Sequence, residues 1–145
     1  MSQTVEGITS YFLYDGDQLI AETDAAGAIA ASYVYGAGID EPLRMDRGGT
    51  TSYYHADGLG SIVALTDSTG AVIERYAYDV YGTPSITDAA GTPLTQSAVG
   101  NRFLFTGREY DAETGLYHYR YRTQHPGFGR FLQRDPLGYI TDFNL

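Results

Sequence analysis

The sequence contains no cysteine and no tryptophan, and basic residues are scarce. Without cysteine there is no disulfide and no thiolate chemistry, and the redox compartment of the protein stays open. Nine basic residues against eighteen acidic ones give a formal net charge of -9 at pH 7. A surface of this charge argues against non-specific binding to nucleic acid and against attraction to anionic lipid.

Long apolar runs are also lacking. No stretch approaches the roughly 20 apolar residues that a membrane-spanning helix needs. The first residues, "MSQTVEG", lack the basic and apolar regions of a signal peptide. We therefore expect no membrane span, and any export signal would lie elsewhere.

Glycine and tyrosine are abundant instead, with 18 glycines and 14 tyrosines in 145 residues. Glycine favours turns, and tyrosine favours the pleated, half-buried surface of a sheet. Apolar residues recur with a period of two over most of the chain, as in "GAVIERYAYDVYG". The sequence therefore predicts a nearly all-β protein.

Two stretches have the pattern of a β-hairpin. "QLIAETDAAGAIAASYVYG" predicts strands over Leu19–Thr23 and Ala28–Tyr35 around a turn at Asp24–Gly27. "SIVALTDSTGAVIERYAY" predicts two strands around a turn at Asp67–Gly70. The two hairpins match position by position, which indicates an internal repeat of 43 residues: Thr23, Asp24, Gly27, Tyr33 and Tyr35 recur as Thr66, Asp67, Gly70, Tyr76 and Tyr78.

The C-terminal part continues the pattern. "EYDAETGLYHYRYR" predicts a turn containing Asp111 and Gly115, followed by a strand with three tyrosines on one face: Tyr117, Tyr119 and Tyr121. "YRYRTQHPGFGRFLQ" predicts a last hairpin that turns at Pro126–Gly129. The stretch Ser85–Asn101 lacks the aromatic spacing, and Pro84 and Pro93 favour a long loop there.

These motifs resemble the YD repeats of Rhs and toxin-complex proteins. "YYHADGLGSIVALTD" is similar to the opening of the repeat-associated core region in that family, and "FTGREYDAETGLYHYRYR" with "GRFLQRDPLGY" is similar to its end. The resemblance divides the chain into a hairpin unit with its connection over 1–52 and the core region over 53–145, with a loop insertion at 85–101.

The resemblance implies consecutive hairpins joined into one extended, curved antiparallel sheet. In this family such a sheet forms a shell around a C-terminal, often toxic, cargo, and the protein is secreted or lies at the cell surface. The implied partners are other YD-repeat strands of a parent shell, or identical subunits, paired at the sheet edges. A hairpin cannot bury its aromatic face alone, so each unit needs neighbours.

One candidate catalytic element, "RDPLGY", contains Arg134 and Asp135. It resembles the family's first Asp-Pro-x-Gly element, whose aspartate belongs to a self-cleavage site. An aspartyl mechanism needs two carboxylates that share a proton. The second Asp-Pro element is not in this sequence, so the preferred interpretation of Asp135 is a structural turn with Arg134 as its ion-pair partner.

The remaining polar candidates favour structural roles. His55 and Asp57 have the spacing of a pair, but Asp57 is better interpreted as bonding local backbone at the turn Gly58–Gly60. The histidines have no ligand spacing, so we expect neither a metal nor a cofactor. The residues expected to determine the fold are the turn glycines Gly27, Gly70, Gly115 and Gly127 and the strand tyrosines Tyr33, Tyr35, Tyr76, Tyr78, Tyr117 and Tyr119.

Three functions remain open at this point. The first is a structural core module of a toxin-enclosing shell. The second is a repeat protein that assembles with itself by edge pairing into filaments or rings. The third is a self-cleaving aspartyl module, which is incomplete here. The sequence favours the structural module over an enzyme.

Overall fold

The computed structural model describes residues 2–5 and 8–134. It consists of strands, turns and two short 3-10 turns, Phe105–Gly107 and Pro126–Phe128. The strands are β1 (Ser2–Val5), β2 (Ile8–Asp15), β3 (Gln18–Thr23), β4 (Ile29–Tyr35), β5 (Pro42–Arg47), β6 (Thr50–Ala56), β7 (Ile62–Thr66), β8 (Val72–Tyr78), β9 (Pro84–Asp88), β10 (Pro93–Leu94), β11 (Glu109–Asp111), β12 (Leu116–Tyr119), β13 (Arg122–His125) and β14 (Arg130–Phe131). Within these residues, no helix has the length and apolar character to cross a membrane.

The strands form two antiparallel sheets. Strands β1 to β10 make one ten-stranded sheet in which every strand pairs with its neighbours in the chain, and β11 to β14 make a second sheet in the same manner. The prediction of an all-β fold of consecutive antiparallel hairpins is confirmed. The last hairpins differ from the expectation of one continuous sheet, because the chain leaves the first sheet after β10 and starts another.

Both repeated hairpins are present. Strands β3 and β4 flank the turn at Asp24–Gly27, and β7 and β8 flank the turn at Asp67–Gly70. Each pairing contains a register shift at the strand end next to its turn. The internal repeat read from the sequence is therefore a structural repeat.

The prediction of a long loop over Ser85–Asn101 is wrong for the first half of that stretch. Strand β9 pairs with β8, and β10 pairs with β9 around another turn at Asp88–Gly91. Both prolines that favoured a loop stand at the first residue of a strand, Pro84 in β9 and Pro93 in β10. Proline is tolerated there because it costs no interior ladder hydrogen bond.

Tyr121 does not lie on the strand with Tyr117 and Tyr119, which corrects a second expectation. Strand β12 ends at Tyr119, and Arg120 takes a left-handed conformation with φ 56°. The chain reverses there, and 79% of Tyr121 is exposed. The last predicted hairpin is present as β13 and β14, but its left-handed residue is Gly129, with φ 61°, rather than Gly127.

The core lies between the two sheets and is rich in aromatic residues. Its buried aromatic residues come from β2, β4, β6, β8 and β12 and from the connection before the second sheet: Phe12, Tyr33, Tyr54, Tyr76, Phe103 and Tyr117. The other buried apolar residues come from β3, β4, β5, β7 and β9 and from the same connection: Leu19, Ala31, Met45, Ile62, Leu65, Ile86 and Leu104. A domain boundary between residues 52 and 53 stays a prediction, and that position lies inside β6.

Candidate functional site: the closing segment between the two sheets

Five turns of the first sheet share one design, Asp-x-x-Gly. In each, one aspartate oxygen accepts two backbone N–H groups, two and four residues further on, and the glycine has a positive φ. The aspartates are Asp24, Asp57, Asp67, Asp79 and Asp88. These hydrogen bonds lower the pKa of Asp67, led by the Thr69 hydroxyl, and of Asp79 and Asp88, led by backbone N–H groups.

Asp57 belongs to this set, as its interpretation from the sequence requires. Its Oδ1 accepts the N–H groups of Leu59 and Ser61 at 2.9 and 3.0 Å. His55 Nε2 lies 2.9 Å from the Thr66 hydroxyl on the neighbouring strand. Asp57 and His55 therefore contact different parts of the sheet, each with a partner that belongs to a turn or strand.

The second tyrosine of each repeat makes the same long-range hydrogen bond. The Tyr35 hydroxyl donates to the carbonyl of Leu19 at 2.8 Å, and the Tyr78 hydroxyl donates to the carbonyl of Ile62 at 2.6 Å. The two donors and the two acceptors are each 43 residues apart. Burial raises the pKa of both phenols, so both remain protonated donors at neutral pH.

The connection between the sheets packs on the tyrosine face, and we call its residues 97–108 the closing segment. The ring of Phe103 makes edge contacts with three tyrosines of the first sheet, at centroid distances of 5.1 Å to Tyr33, 5.9 Å to Tyr35 and 6.1 Å to Tyr54. Such contacts add to the burial of apolar area. Phe103 therefore fixes the closing segment on the first repeat.

Phe105 plays the corresponding part on the second repeat and on the second sheet. Its ring lies 5.5 Å from that of Tyr78 and 6.3 Å from that of Tyr117. The fully buried Tyr117 donates its hydroxyl to the carbonyl of Gly82 at 2.8 Å. A Cβ at Gly82 would lie 2.6 Å from the Phe105 ring, so this position has no room for a side chain.

Backbone hydrogen bonds also hold the closing segment on the sheet. The N–H of Ile62 donates to the carbonyl of Leu104 at 3.0 Å, and the N–H of Thr106 donates to the Ser61 hydroxyl at 3.0 Å. Thr106 has a left-handed φ of 52°. A threonine in this conformation is strained, and the surrounding contacts compensate for that strain.

A buried carboxylate, Glu74, anchors the start of the closing segment. It is 1% exposed, and it accepts the Ser97 hydroxyl at 2.8 Å and the N–H groups of Ala98 and Val99 at 2.6 and 3.2 Å. The Tyr76 hydroxyl donates to it as well. All four donors are hydroxyl or backbone amide groups, so the buried Glu74 side chain is held here by neutral hydrogen-bond donors.

The first repeat has its own buried carboxylate, Glu22, with a different set of partners. The Tyr33 hydroxyl donates to it, Arg47 pairs with it at 2.7 Å, and Arg102 of the closing segment approaches it to 4.0 Å. Sequence reasoning identified neither Glu22 nor Glu74. The sequence signal that could have found them is a glutamate in a predicted strand of a hairpin that also contains the repeated tyrosine, Tyr33 or Tyr76.

The other predicted site residues are distributed over the fold. Gly27, Gly70 and Gly115 have φ values of 83°, 85° and 69°, and they lie in separate turns. Arg134 is exposed at the end of the described residues. Asp135 lies outside them, so the self-cleavage element stays a prediction.

The chain is similar to a bacterial nuclease along most of its length and to a bacterial toxin protein along part of it. It is 37% identical over 138 residues to the tRNA nuclease WapA of Bacillus subtilis, which covers 94% of this chain and 6% of that protein. It is 34% identical over 87 residues to the toxin protein Tse5 of Pseudomonas aeruginosa, covering 60% of this chain and 6% of Tse5. The chain thus spans a small fraction of these relatives. No family model matches it.

Solved structures share the fold. The crystal structure of TcdB2-TccC3 aligns with a TM-score of 0.67 at 22% identity, over 97% of this chain and 7% of that one. The Photorhabdus luminescens Tc holotoxin pore aligns with a TM-score of 0.66 at 23% identity. The sheets and their connection therefore recur inside much larger toxin chains.

Proposed function

This chain belongs to the Rhs/YD-repeat family, and we propose that it is the core portion of a shell that encloses a C-terminal toxin. Its relatives include the tRNA nuclease WapA and the toxin protein Tse5, which supports a toxin-associated β-sheet module. In this proposal the role of the chain is structural. Its strands form part of the shell wall, and its closing segment folds over the sheet where that wall ends.

The observation that supports the proposal most directly is the strand order. Ten strands follow one another across the sheet in chain order, and among the described residues the first and last, β1 and β10, each pair on one side. An open edge accepts another strand because it presents unpaired N–H and C=O groups. Further YD-repeat strands of a parent chain would continue the wall there.

The contacts of the closing segment support the second part of the proposal. The ten-stranded sheet does not continue into β11, because Glu74, Phe103 and Phe105 hold the closing segment across its face. A wall whose final hairpins fold over the tyrosine face ends there. Toxin cargo following the core would then begin beside a covered surface, and the whole protein would act after export from the cell.

The experiment that tests this proposal is sedimentation of the purified chain combined with negative-stain electron microscopy at neutral pH. Single particles of one chain's mass support a shell portion whose edges await the rest of the wall. Filaments or rings would instead support the alternative of a self-assembling repeat protein, and they would contradict the shell proposal.

Self-cleavage is tested separately, by the intact mass of the chain after prolonged incubation. We expect the mass to remain that of the full chain, because the sequence holds one Asp-Pro element and an aspartyl mechanism needs two carboxylates. A cleaved product that disappears in the variant Asp135→Asn would establish the enzymatic alternative.

A further inference from the structure

A cavity of about 370 Å³ lies where β2 and β3 meet the closing segment and β12. Its volume is within the range of small-ligand pockets, about 300 to 1,000 Å³. Aromatic rings form much of its wall: Phe12, Tyr14, Tyr35 and Phe103. It is distinct from the tyrosine contacts that hold the two sheets together on the second repeat.

The charged groups around this cavity are not balanced. Four carboxylates line it against three guanidinium groups. Arg108 pairs with Asp40 at 2.8 Å, and Arg120 pairs with Asp17 at 3.1 Å. Among the described residues, Glu109 and Asp111 have no ion-pair partner, because the third guanidinium, Arg102, approaches Glu22 to 4.0 Å and lies 4.5 Å above the ring of Phe12.

Glu109 has spare capacity to accept hydrogen bonds. Both of its carboxylate oxygens accept from the same group, the Tyr14 hydroxyl, at 3.2 and 3.1 Å. An ionised carboxylate offers about four acceptor sites. Burial raises the pKa of Glu109, although the charges of Arg102 and His118 oppose the rise. Its negative charge is therefore only partly compensated in the cavity.

We propose that this cavity binds a small organic cation, a guanidinium or primary ammonium group on a short apolar stem. Glu109 accepts the hydrogen bonds of the cationic head, and the rings of Tyr14 and Tyr35 contact the stem. Aromatic faces attract cations, and a charge-assisted hydrogen bond to a carboxylate is stronger than a neutral one.

An anion is disfavoured at two of the three guanidinium groups of the cavity, and the third, Arg102, lies between the Glu22 carboxylate at 4.0 Å and the ring of Phe12. Arg108 and Arg120 already pair with carboxylates of the cavity wall. An anionic ligand would have to displace Asp40 or Asp17 before it could use those guanidinium groups. A cation needs no such displacement, because the Glu109 oxygens share one donor.

The test is calorimetric titration of the full chain with agmatine, a guanidinium on a four-carbon stem, and with putrescine as the ammonium probe. We expect saturable binding of agmatine that weakens about tenfold or more in Glu109→Gln, since a charged hydrogen bond is lost. The matched control is Glu113→Gln, the same change in the exposed turn of the same hairpin. We expect it to bind like the wild type.

Acidification gives a second readout that does not depend on a variant. Protonated Glu109 cannot pair with a cation, so agmatine affinity should fall as the pH drops through the raised pKa of this carboxyl. Glu109→Gln should fold normally, because removing a charge whose burial raises its pKa does not cost stability. Thermal melting of the variant verifies that point.

Two further ligands test whether the cation is a free molecule or a peptide side chain, and whether the cavity prefers a cation to an anion. An arginine side chain in a blocked dipeptide that binds like agmatine would indicate a peptide segment as the ligand, whereas binding of agmatine alone would indicate a free small molecule. Glutarate is the anionic counterpart. Binding of glutarate in place of agmatine, no agmatine binding, or an unchanged affinity in Glu109→Gln would each overturn the proposal.

Discussion

Two hairpins of the ten-stranded sheet, β3 with β4 and β7 with β8, differ in how each holds a buried carboxylate. They share the Asp-x-x-Gly turn and the hydrogen bond from the second tyrosine to a carbonyl. In the first hairpin Glu22 is neutralised by Arg47. In the second, Glu74 is surrounded by hydroxyl and backbone N–H donors, most of them from the closing segment.

The strand that carries the buried carboxylate also differs between the two hairpins. Glu22 pairs across the strands with Ala31, and Glu74 pairs across the strands with Leu65. Residues 22 and 65 are equivalent in the repeat, as are residues 31 and 74. The carboxylate has therefore changed strands within one equivalent pair, whose side chains lie about 5 Å apart. From either strand it reaches the first tyrosine of the repeat, Tyr33 or Tyr76.

The comparison separates what the repeat fixes from what each copy adds. Turn and strand chemistry is common to both hairpins because it depends on local sequence. The partners of the carboxylates are specific, because each hairpin contacts a different part of the chain. The second hairpin depends on the closing segment, whereas the first also has an arginine of its neighbouring strand.

The largest expected effect is the loss of Glu74. Glu74→Leu would leave four donors without their acceptor, among them the buried Tyr76 hydroxyl and the half-buried Ser97 hydroxyl, so we expect a loss of about 3 kcal/mol of unfolding free energy. Glu22→Leu should cost less, about 2 kcal/mol, because the Arg47 side chain is 28% exposed and can reach water. Urea unfolding of both variants measures the difference.

A matched control for these variants is Glu113→Leu in an exposed turn, which should change stability by no more than about 0.5 kcal/mol. If Glu22→Leu lowered the unfolding free energy more than Glu74→Leu, the ion pair of Glu22 would contribute more to stability than the hydrogen bonds of the closing segment. The contrast between the two hairpins would then be reversed.

Alkaline pH should destabilise both hairpins through their buried tyrosines. Burial raises the pKa of Tyr33 and Tyr76 above the value near 10 of an unfolded tyrosine. Above pH of about 10 the unfolded state loses these protons first, so each phenol removes about 1.4 kcal/mol per pH unit until its folded pKa is reached.

Urea unfolding between about pH 9 and 11 measures this loss. Tyr33→Phe and Tyr76→Phe should each reduce the slope by one proton. Arg47 opposes the rise in the pKa of Tyr33, but both folded values lie above this pH window, so the two reductions should be equal. A stability that stays flat across the window would contradict the burial of these phenols.

The sequence predicted the fold well because its information is local. A period of two and an aspartate three residues before a glycine suffice to locate a hairpin. The same signal was available for β9 and β10, since "TDAAG" at 87–91 repeats "TDAAG" at 23–27. Two prolines obscured it, although each stands at the first residue of a strand.

The site was far less predictable. Glu74 meets its partners 23 to 25 residues away, and Phe103 contacts tyrosines of the first sheet from outside any strand. Such contacts follow from the path of the closing segment, for which no periodic pattern exists in the sequence. The second sheet was hidden for the same reason, because its hairpins look like a continuation of the first.

The turn glycines offer a test of what the two hairpins share. Gly27 and Gly70 have φ values of 83° and 85°, and a Cβ at either would meet no atom within 4 Å. Alanine at each position should therefore cost about 1–2 kcal/mol from backbone strain alone. Gly58 lies in a turn without a positive φ and also has open space, so Gly58→Ala serves as the control and should be nearly neutral. Urea unfolding that found the two losses unequal would mean that the turns are not equivalent.

The smallest expected effect concerns the shared tyrosine hydrogen bond. Tyr35→Phe and Tyr78→Phe each remove one hydroxyl that donates to a carbonyl, at 2.8 and 2.6 Å, and leave the ring contacts with Phe103 and Phe105 in place. We expect each to lower the unfolding free energy by about 1 kcal/mol. Because donor, acceptor and spacing are the same in both hairpins, the two losses should agree within about 0.5 kcal/mol, the size of ordinary context effects. A larger difference would show that the closing segment, through Phe103 or Phe105, changes how much this hydrogen bond contributes to stability in one of the two hairpins.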